Sequence, residues 1–278
     1  MRTIYGLILM VACLGLPIVL FSQNTSNWKL VTPPNSVQLV GVATQPNKTV
    51  GIVVKNISGE PIVDIAIARR LGNDDDISGV DTFASGMVAI QPGGTASLSF
   101  SNAPNTKPLR VVAVVWSDGS RVGDPEFLAR LEDEMIGATL EMARDVRILA
   151  SSPELDAGGA DTAVNAIGPS GPHNSAEVAS TLRRISLPGV PKSYLDAHVN
   201  RASSYLLIGS KRARSIILGD LRSQMQIASL PLSGPGVRRS SMVAQARQHG
   251  MSVLASKYQV IVAKQSKALE RFSQGERQ

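Results

Sequence analysis

Hydrophobic and polar positions along this chain fall into three rhythms: an unbroken apolar run, then a two-residue alternation, then a helical period. Residues 4–21 carry no charge, follow the single cation of Met1-Arg2-Thr3, and turn polar at Ser22-Gln23-Asn24. One cation, an uncharged apolar stretch and a polar exit form the layout of an export signal, so residues 1–23 are expected to be a signal peptide. The run also approaches the length that crosses a bilayer, which leaves an uncleaved membrane anchor as the alternative.

Between Trp28 and Gly123 the pattern is that of short strands. β-Branched runs at 37–42, 49–55 and 62–68 are bounded by Pro33-Pro34, Gln45-Pro46-Asn47 and Ser58-Gly59-Glu60-Pro61. Residues 95–100 alternate polar and apolar after Pro92-Gly93-Gly94, and residues 109–116 form a near-continuous apolar strand that ends at the turn Asp118-Gly119. With no helical period among them, these runs predict two antiparallel sheets packed face to face over residues 28–123. The segment Val53-Val54-Lys55-Asn56-Ile57-Ser58-Gly59-Glu60-Pro61-Ile62, with the closing Ala113-Val114-Val115-Trp116-Ser117-Asp118-Gly119-Ser120 and Gly123-Asp124, resembles the immunoglobulin-like β-sandwiches of exported bacterial proteins. That resemblance covers about a third of the chain. It implies a fold and no activity, because such sandwiches carry many unrelated functions.

From Asp124 the period changes. Leu128, Leu131, Met135, Ala138, Met142, Val146 and Leu149 recur at steps of three and four, behind Asp124 as cap and Pro125 in the first turn, which predicts a helix over 124–149. Residues 150–174 are rich in Ser, Gly, Pro and Ala and read as a flexible linker. A short helix near 176–185, a break at 187–191, a long helical stretch over 192–229 and a last helix over 238–272 complete a basic helical region, 175–273. The two long helices, joined through a Pro and Gly turn, predict an antiparallel hairpin. The fold class is therefore α+β.

Composition narrows the function. Only 4% of residues are aromatic against 43% hydrophobic, so the core rests on aliphatic side chains and no stacking platform for bases or sugars is expected. The single cysteine is Cys13, so disulfides, thiolate metal sites and a cysteine nucleophile are excluded from everything after the export segment. Met10-Val11-Ala12-Cys13 is similar to a loose bacterial lipobox and makes lipidation at Cys13 a third fate of the N-terminus, against the apolar residues 14–21 that follow it. The net charge of +6 hides a division: 12 Lys and Arg against 17 Asp and Glu up to His173, and 16 against 5 from Asn174 onward. The basic part is suited to an acidic surface.

Residues with chemistry are sparse. His173, His198 and His249 each stand alone and read as solvated surface residues, and Asn73-Asp74-Asp75-Asp76 lacks calcium-loop spacing and reads as a solvated loop. Ser26-Asn27-Trp28-Lys29 matches a minimal acyl-enzyme pattern without its partner motifs. The clusters Arg183-Arg184, Lys211-Arg212-Ala213-Arg214 and Arg238-Arg239 are candidate contacts to an anionic surface. No catalytic residue, cofactor or metal is nominated. The expectation is a non-catalytic binding or scaffolding protein of the cell envelope, periplasmic, secreted or anchored to the outer face of the inner membrane. Its partner would be a protein, an envelope component or an anionic membrane, with no nucleic acid. The alternatives are peripheral membrane attachment through the basic helices, or an enzyme whose site gathers scattered acids such as Asp64, Asp81 and Asp118.

Overall fold

The computed structural model describes residues 30–44, 49–71, 74–100, 109–151, 157–168, 174–231 and 237–275. The export segment, Cys13, Ser26–Lys29 and His173 lie outside the described residues.

The fold is α+β, and its strands form two sheets. The smaller is antiparallel, in the order β2 (Val37–Thr44), β3 (Val50–Asn56), β6 (Thr95–Phe100). The larger runs β1 (Leu30–Val31), β7 (Leu109–Trp116), β4 (Ile62–Leu71), β5 (Asp74–Asp81), with β8 (Arg121–Gly123) also on β7. It is mixed, because β1 pairs β7 in parallel, whereas antiparallel pairing throughout was expected. The acidic run is also placed differently from the expected loop: the backbone of residues 74–76 lies in β5, in register with residues 69–71 of β4.

The larger sheet is a middle layer. Ile62, Ile65 and Ile67 of β4 and Leu109, Val111 and Val114 of β7 meet Val42, Ile52, Val54, Leu98 and Phe100 of the smaller sheet in one aliphatic core. From the same two strands, Val63, Ala66, Ala68, Val112, Ala113 and Val115 face the helices in a second core. Burial on both faces is why β7 reads as a continuous apolar run rather than an alternation.

Among the described residues, six α-helices make the third layer. α1 (Pro125–Ser151) starts at Asp124, whose Oδ1 accepts from the amides of Glu126 and Phe127 at 3.0 and 3.3 Å. α2 (Ala157–Ile167) occupies part of the stretch expected as a linker; its Ala163 and Ile167, one turn apart, are fully buried in the helical core. α3 (Ser175–Leu182) follows. The helical stretch read over 192–229 is broken into α4 (Lys192–Arg201) and α5 (Ser204–Ser229) at Ala202, which takes a left-handed conformation, with Ser203 capping α5. α6 (Val237–Ser273) runs antiparallel to α5: Tyr258 bonds Asp220 at 2.7 Å and Arg247 bonds the Ala228 carbonyl at 2.7 Å.

The principal partner of α5 is α1 rather than α6. A Cβ added at Gly137 would lie 2.2 Å from the Leu206 carbonyl oxygen, and one at Gly209 would lie 1.8 Å from the Glu134 carbonyl oxygen. Each helix thus presents a glycine to the other's backbone, and the crossing is close enough to bring the ionisable side chains of both into direct contact.

Candidate functional site

A short turn, residues Phe83–Ser85, sits where sheet and helices meet, and a cavity opens on each side of it. Asp81 fixes the turn by accepting from the Phe83 amide at 2.9 Å, and the Thr82 hydroxyl bonds the carbonyls of Val63 and Met87, both at 3.0 Å.

The inner cavity, of about 210 Å³, gathers Asp64 from β4, Asp81 from β5, Glu134 from α1 and Arg212 from α5. Arg212 pairs with Asp81 and, at 2.5 Å, with Glu134. Three carboxyl groups thus share one cation. Asp64 is 3% exposed, and burial, with Glu134 adding to it and Arg212 opposing it, pushes its carboxyl up to about 8. Burial also raises Glu134. Asp64 is therefore protonated at neutral pH and able to donate. The structure brings together two of the three acids that the enzyme alternative rests on; the third, Asp118, is apart, bonded to Arg271 at 2.7 Å in the β7–β8 turn.

Farther along α1, Glu141 is fully buried and accepts from the Ser210 hydroxyl at 2.8 Å and from Arg214 Nε at 3.1 Å, with Arg144 paired beside it. Asp145, also fully buried, has no hydrogen-bond partner on either carboxylate oxygen. Burial and the Glu141 charge push it up to about 8 against Arg144 and Arg214.

His198 is not a solvated residue as expected. It is 5% exposed, with Nδ1 2.6 Å from Asp133 and Nε2 3.5 Å from Glu132, which also takes the Tyr194 hydroxyl and, at 3.0 Å, Arg121. Burial works to raise Asp133, but hydrogen bonds from His198 and Ser203 and the nearby Arg201 outweigh it and hold the carboxyl below its ordinary range. The partner of Asp133 is 65 residues away, so no local spacing announces the pair. His249 is exposed.

The basic clusters are dispersed. Arg183, Arg184 and Lys211 are exposed, and Arg183 bonds Asn200 at 2.7 Å. Arg212 is engaged with Asp81 and Glu134, and Arg214 is 5% exposed inside the helical layer, so neither is a free surface cation. Arg238 and Arg239 fall in the first turn of α6.

The outer cavity is a shallow groove between β4, the Phe83 turn and α6, lined by Val63, Phe83, Met87 and Ala268 with Ser117, Lys264 and Gln265 as its polar members. Gln265 donates to the Phe83 carbonyl at 2.6 Å, while its Oε1 is buried without a partner. This groove is legible only in three dimensions, since its residues come from four separate stretches of sequence.

No protein-family model, curated protein or solved structure matches this chain. Among the described residues, no helix is long and apolar enough to cross a membrane.

Proposed function

We propose that this protein is exported and acts in the cell envelope as a non-catalytic binding or scaffolding module, its two sheets forming an immunoglobulin-like sandwich braced by the helical region. One observation carries the preference for binding over catalysis: the carboxyl groups with raised titration, Asp64, Glu134 and Asp145, are enclosed between the layers and face cations of the protein itself. Asp64 at 3% exposure and Glu134 face Arg212 across a joint between layers, and Asp145 is enclosed by α1 and α5. A catalytic acid has to reach a substrate. On the other side of Phe83 a shallow groove presents apolar walls with Ser117, Lys264 and Gln265 among them.

Attachment to an anionic membrane through the basic helices is less well supported, because Arg212 and Arg214 are engaged in ion pairs. Arg183, Arg184, Lys211, Arg238 and Arg239 would have to supply it.

Fractionation of cells making the protein, with sequencing of the mature N-terminus, tests the reading. Processing near Ser22 and recovery from the envelope or periplasm are expected. The intact chain dissolved in the cytosol would end the proposal.

A further inference from the structure

The last helix, α6, turns two different faces to its surroundings. Inward, Met251, Leu254, Tyr258, Val262 and Leu269 are buried in the helical core. Outward, Met242, Val253 and Val260 stand 58%, 49% and 69% exposed. At 3.6 residues per turn these three positions lie within about 20° of one line along the helix. Apolar residues scattered singly over a surface need no explanation, but three on one ridge do. β-Branched residues also lower helix propensity, so two valines held in solvent at mid-helix serve neither stability nor solubility.

The rest of the ridge narrows what covers it. His249, Ser256 and Lys267 complete the line, Lys264 and Arg271 lie close beside it, and no exposed position of α6 is acidic. Lys257, farther to one side, is paired with Asp220. Charge is therefore divided along the ridge: from Met242 to Val260 it is apolar or neutral, and beyond Val260 it is basic.

Two copies of such a ridge fit each other in one direction only. Side by side and parallel, Lys264 and Lys267 of one copy would meet the same residues of the other with no acid between them. Antiparallel, with the crossing centred near Ser256, the basic end of each helix lies over the neutral end of the other. The two copies of Lys267 are then about 30 Å apart at 1.5 Å per residue. That separation exceeds the screening length of about 8 Å at physiological salt. Val253 and Val260 of both copies meet at the middle, where the small side chain of Ser256 lets the helices approach. An anionic lipid surface would account for the cations but not for their separation from the apolar stretch.

We propose that two copies of this chain associate through the outward ridge of α6, antiparallel about a two-fold axis near Ser256. An interface confined to one helix face lies at the small end of protein contacts, so the dimer is weak and dissociates on dilution. This goes beyond the binding reading above and does not depend on where the protein resides.

The test is sedimentation equilibrium of the full chain, with Cys13→Ser, over a wide range of concentration. A monomer–dimer equilibrium is expected. Val260→Lys, which leaves the buried face of α6 intact, is expected to weaken association at least tenfold. Cross-linking reads the direction: under mild oxidation Ser256→Cys is expected to join the two copies, and Met242→Cys, about 40 Å from its mate in the antiparallel pair, is not. A monomer at every concentration, association indifferent to Val260→Lys, or cross-linking through Met242→Cys would each overturn the proposal. So would a monomer that binds anionic vesicles and releases them on Lys264→Glu with Lys267→Glu, which would assign the ridge to lipid.

Discussion

Two ionic clusters lie along one helix, about two turns apart, and they are built to different balances. At Glu134 three carboxyl groups from three elements meet the one cation Arg212, whose side chain is 41% exposed. At Glu141 two carboxyl groups meet two cations, Arg144 and Arg214, and everything but Arg144 is closed off from solvent. In both, a buried aspartate, Asp64 or Asp145, is pushed up to about 8. The first cluster joins sheet to helices, and it takes up a proton because Asp64 is buried, with the Glu134 charge adding to that. The second has matched formal charge, yet Asp145 has no hydrogen-bond partner, so burial, with the Glu141 charge adding to it, keeps it protonated. Charge count and hydrogen-bond satisfaction are thus separate requirements: the first cluster has three carboxyl groups for one cation, and the second leaves Asp145 without a hydrogen bond.

The balanced cluster should be the more sensitive to loss of a partner. Glu141→Ala strands Arg214 in the core, and breaking a buried pair in this way costs about 3–5 kcal/mol. A fall of that size in chemical denaturation is expected. Glu141→Leu combined with Arg214→Met should recover much of it, since a well-packed apolar pair replaces a desolvated one. If the double variant is no better than Glu141→Ala, the packing around Ser210 rather than the charge is what the pair protects.

Acid titration separates the clusters from an ordinary surface. An aspartate whose folded pKa lies above its ordinary 3.8 keeps a proton that the unfolded chain has already released. Folding then binds protons between about pH 4 and pH 8, and stability falls as pH rises through that window. Each group contributes a slope of about 1 kcal/mol per pH unit. Asp64→Asn and Asp145→Asn should each flatten the decline between pH 5 and pH 8, and the double variant should nearly abolish it. A stability curve that rises over this interval, unchanged by either substitution, would contradict the protonated state assigned to both.

The glycine crossing holds both clusters at once. Gly209→Ala puts a Cβ against the Glu134 carbonyl and should destabilise by about 2 kcal/mol despite the gain in helix propensity. Gly219→Ala, ten residues along the same helix with open space around it, should instead stabilise by about 0.5–1 kcal/mol. Comparison of the two melting temperatures isolates the crossing from propensity.

Much of the layer order is readable from periodicity alone. The β-branched runs with their Pro and Gly punctuation correspond to β2, β3, β4, β6 and β7, because a strand buried on at least one face has to repeat apolar residues at a period of two or without a break. Asp124 and Pro125 mark the start of α1 for an equally local reason. What pattern could not reveal is long-range. β5 opens with three acids, which local propensity assigns to a loop, and it becomes a strand through its register with β4. α2 is composed of small residues and turns helical where Ala163 and Ile167 reach the core. The lone histidine at 198 meets Asp133 across 65 residues, and Arg214, one of a basic run, turns inward to Glu141. Of the acids weighed for a catalytic site, Asp64 and Asp81 converge, but Glu134 and Arg212, which set their charge, come from helices whose placement depends on the Gly137 and Gly209 contact.

The smallest effect is expected at the exposed cation of the unbalanced cluster. Arg212→Ala removes the one positive charge facing Asp64, Asp81 and Glu134, yet its partial exposure lets solvent screen what it contributes, so a loss of about 1 kcal/mol at pH 8 is expected. The sign of its pH dependence is the informative part. At pH 8 Asp64 is half ionised and the loss of Arg212 leaves carboxylates facing one another; at pH 5 Asp64 is protonated and less charge is left uncompensated. The destabilisation should therefore shrink on going from pH 8 to pH 5, whereas that of Glu141→Ala should grow, because losing the Glu141 charge lowers Asp145 and lets it ionise beside Arg144 and Arg214 at pH 8. Measuring both variants at the two pH values by urea denaturation decides it. A penalty for Arg212→Ala that is the same at both would mean that Asp64 does not exchange its proton in this interval, and the contrast between the clusters would reduce to burial alone.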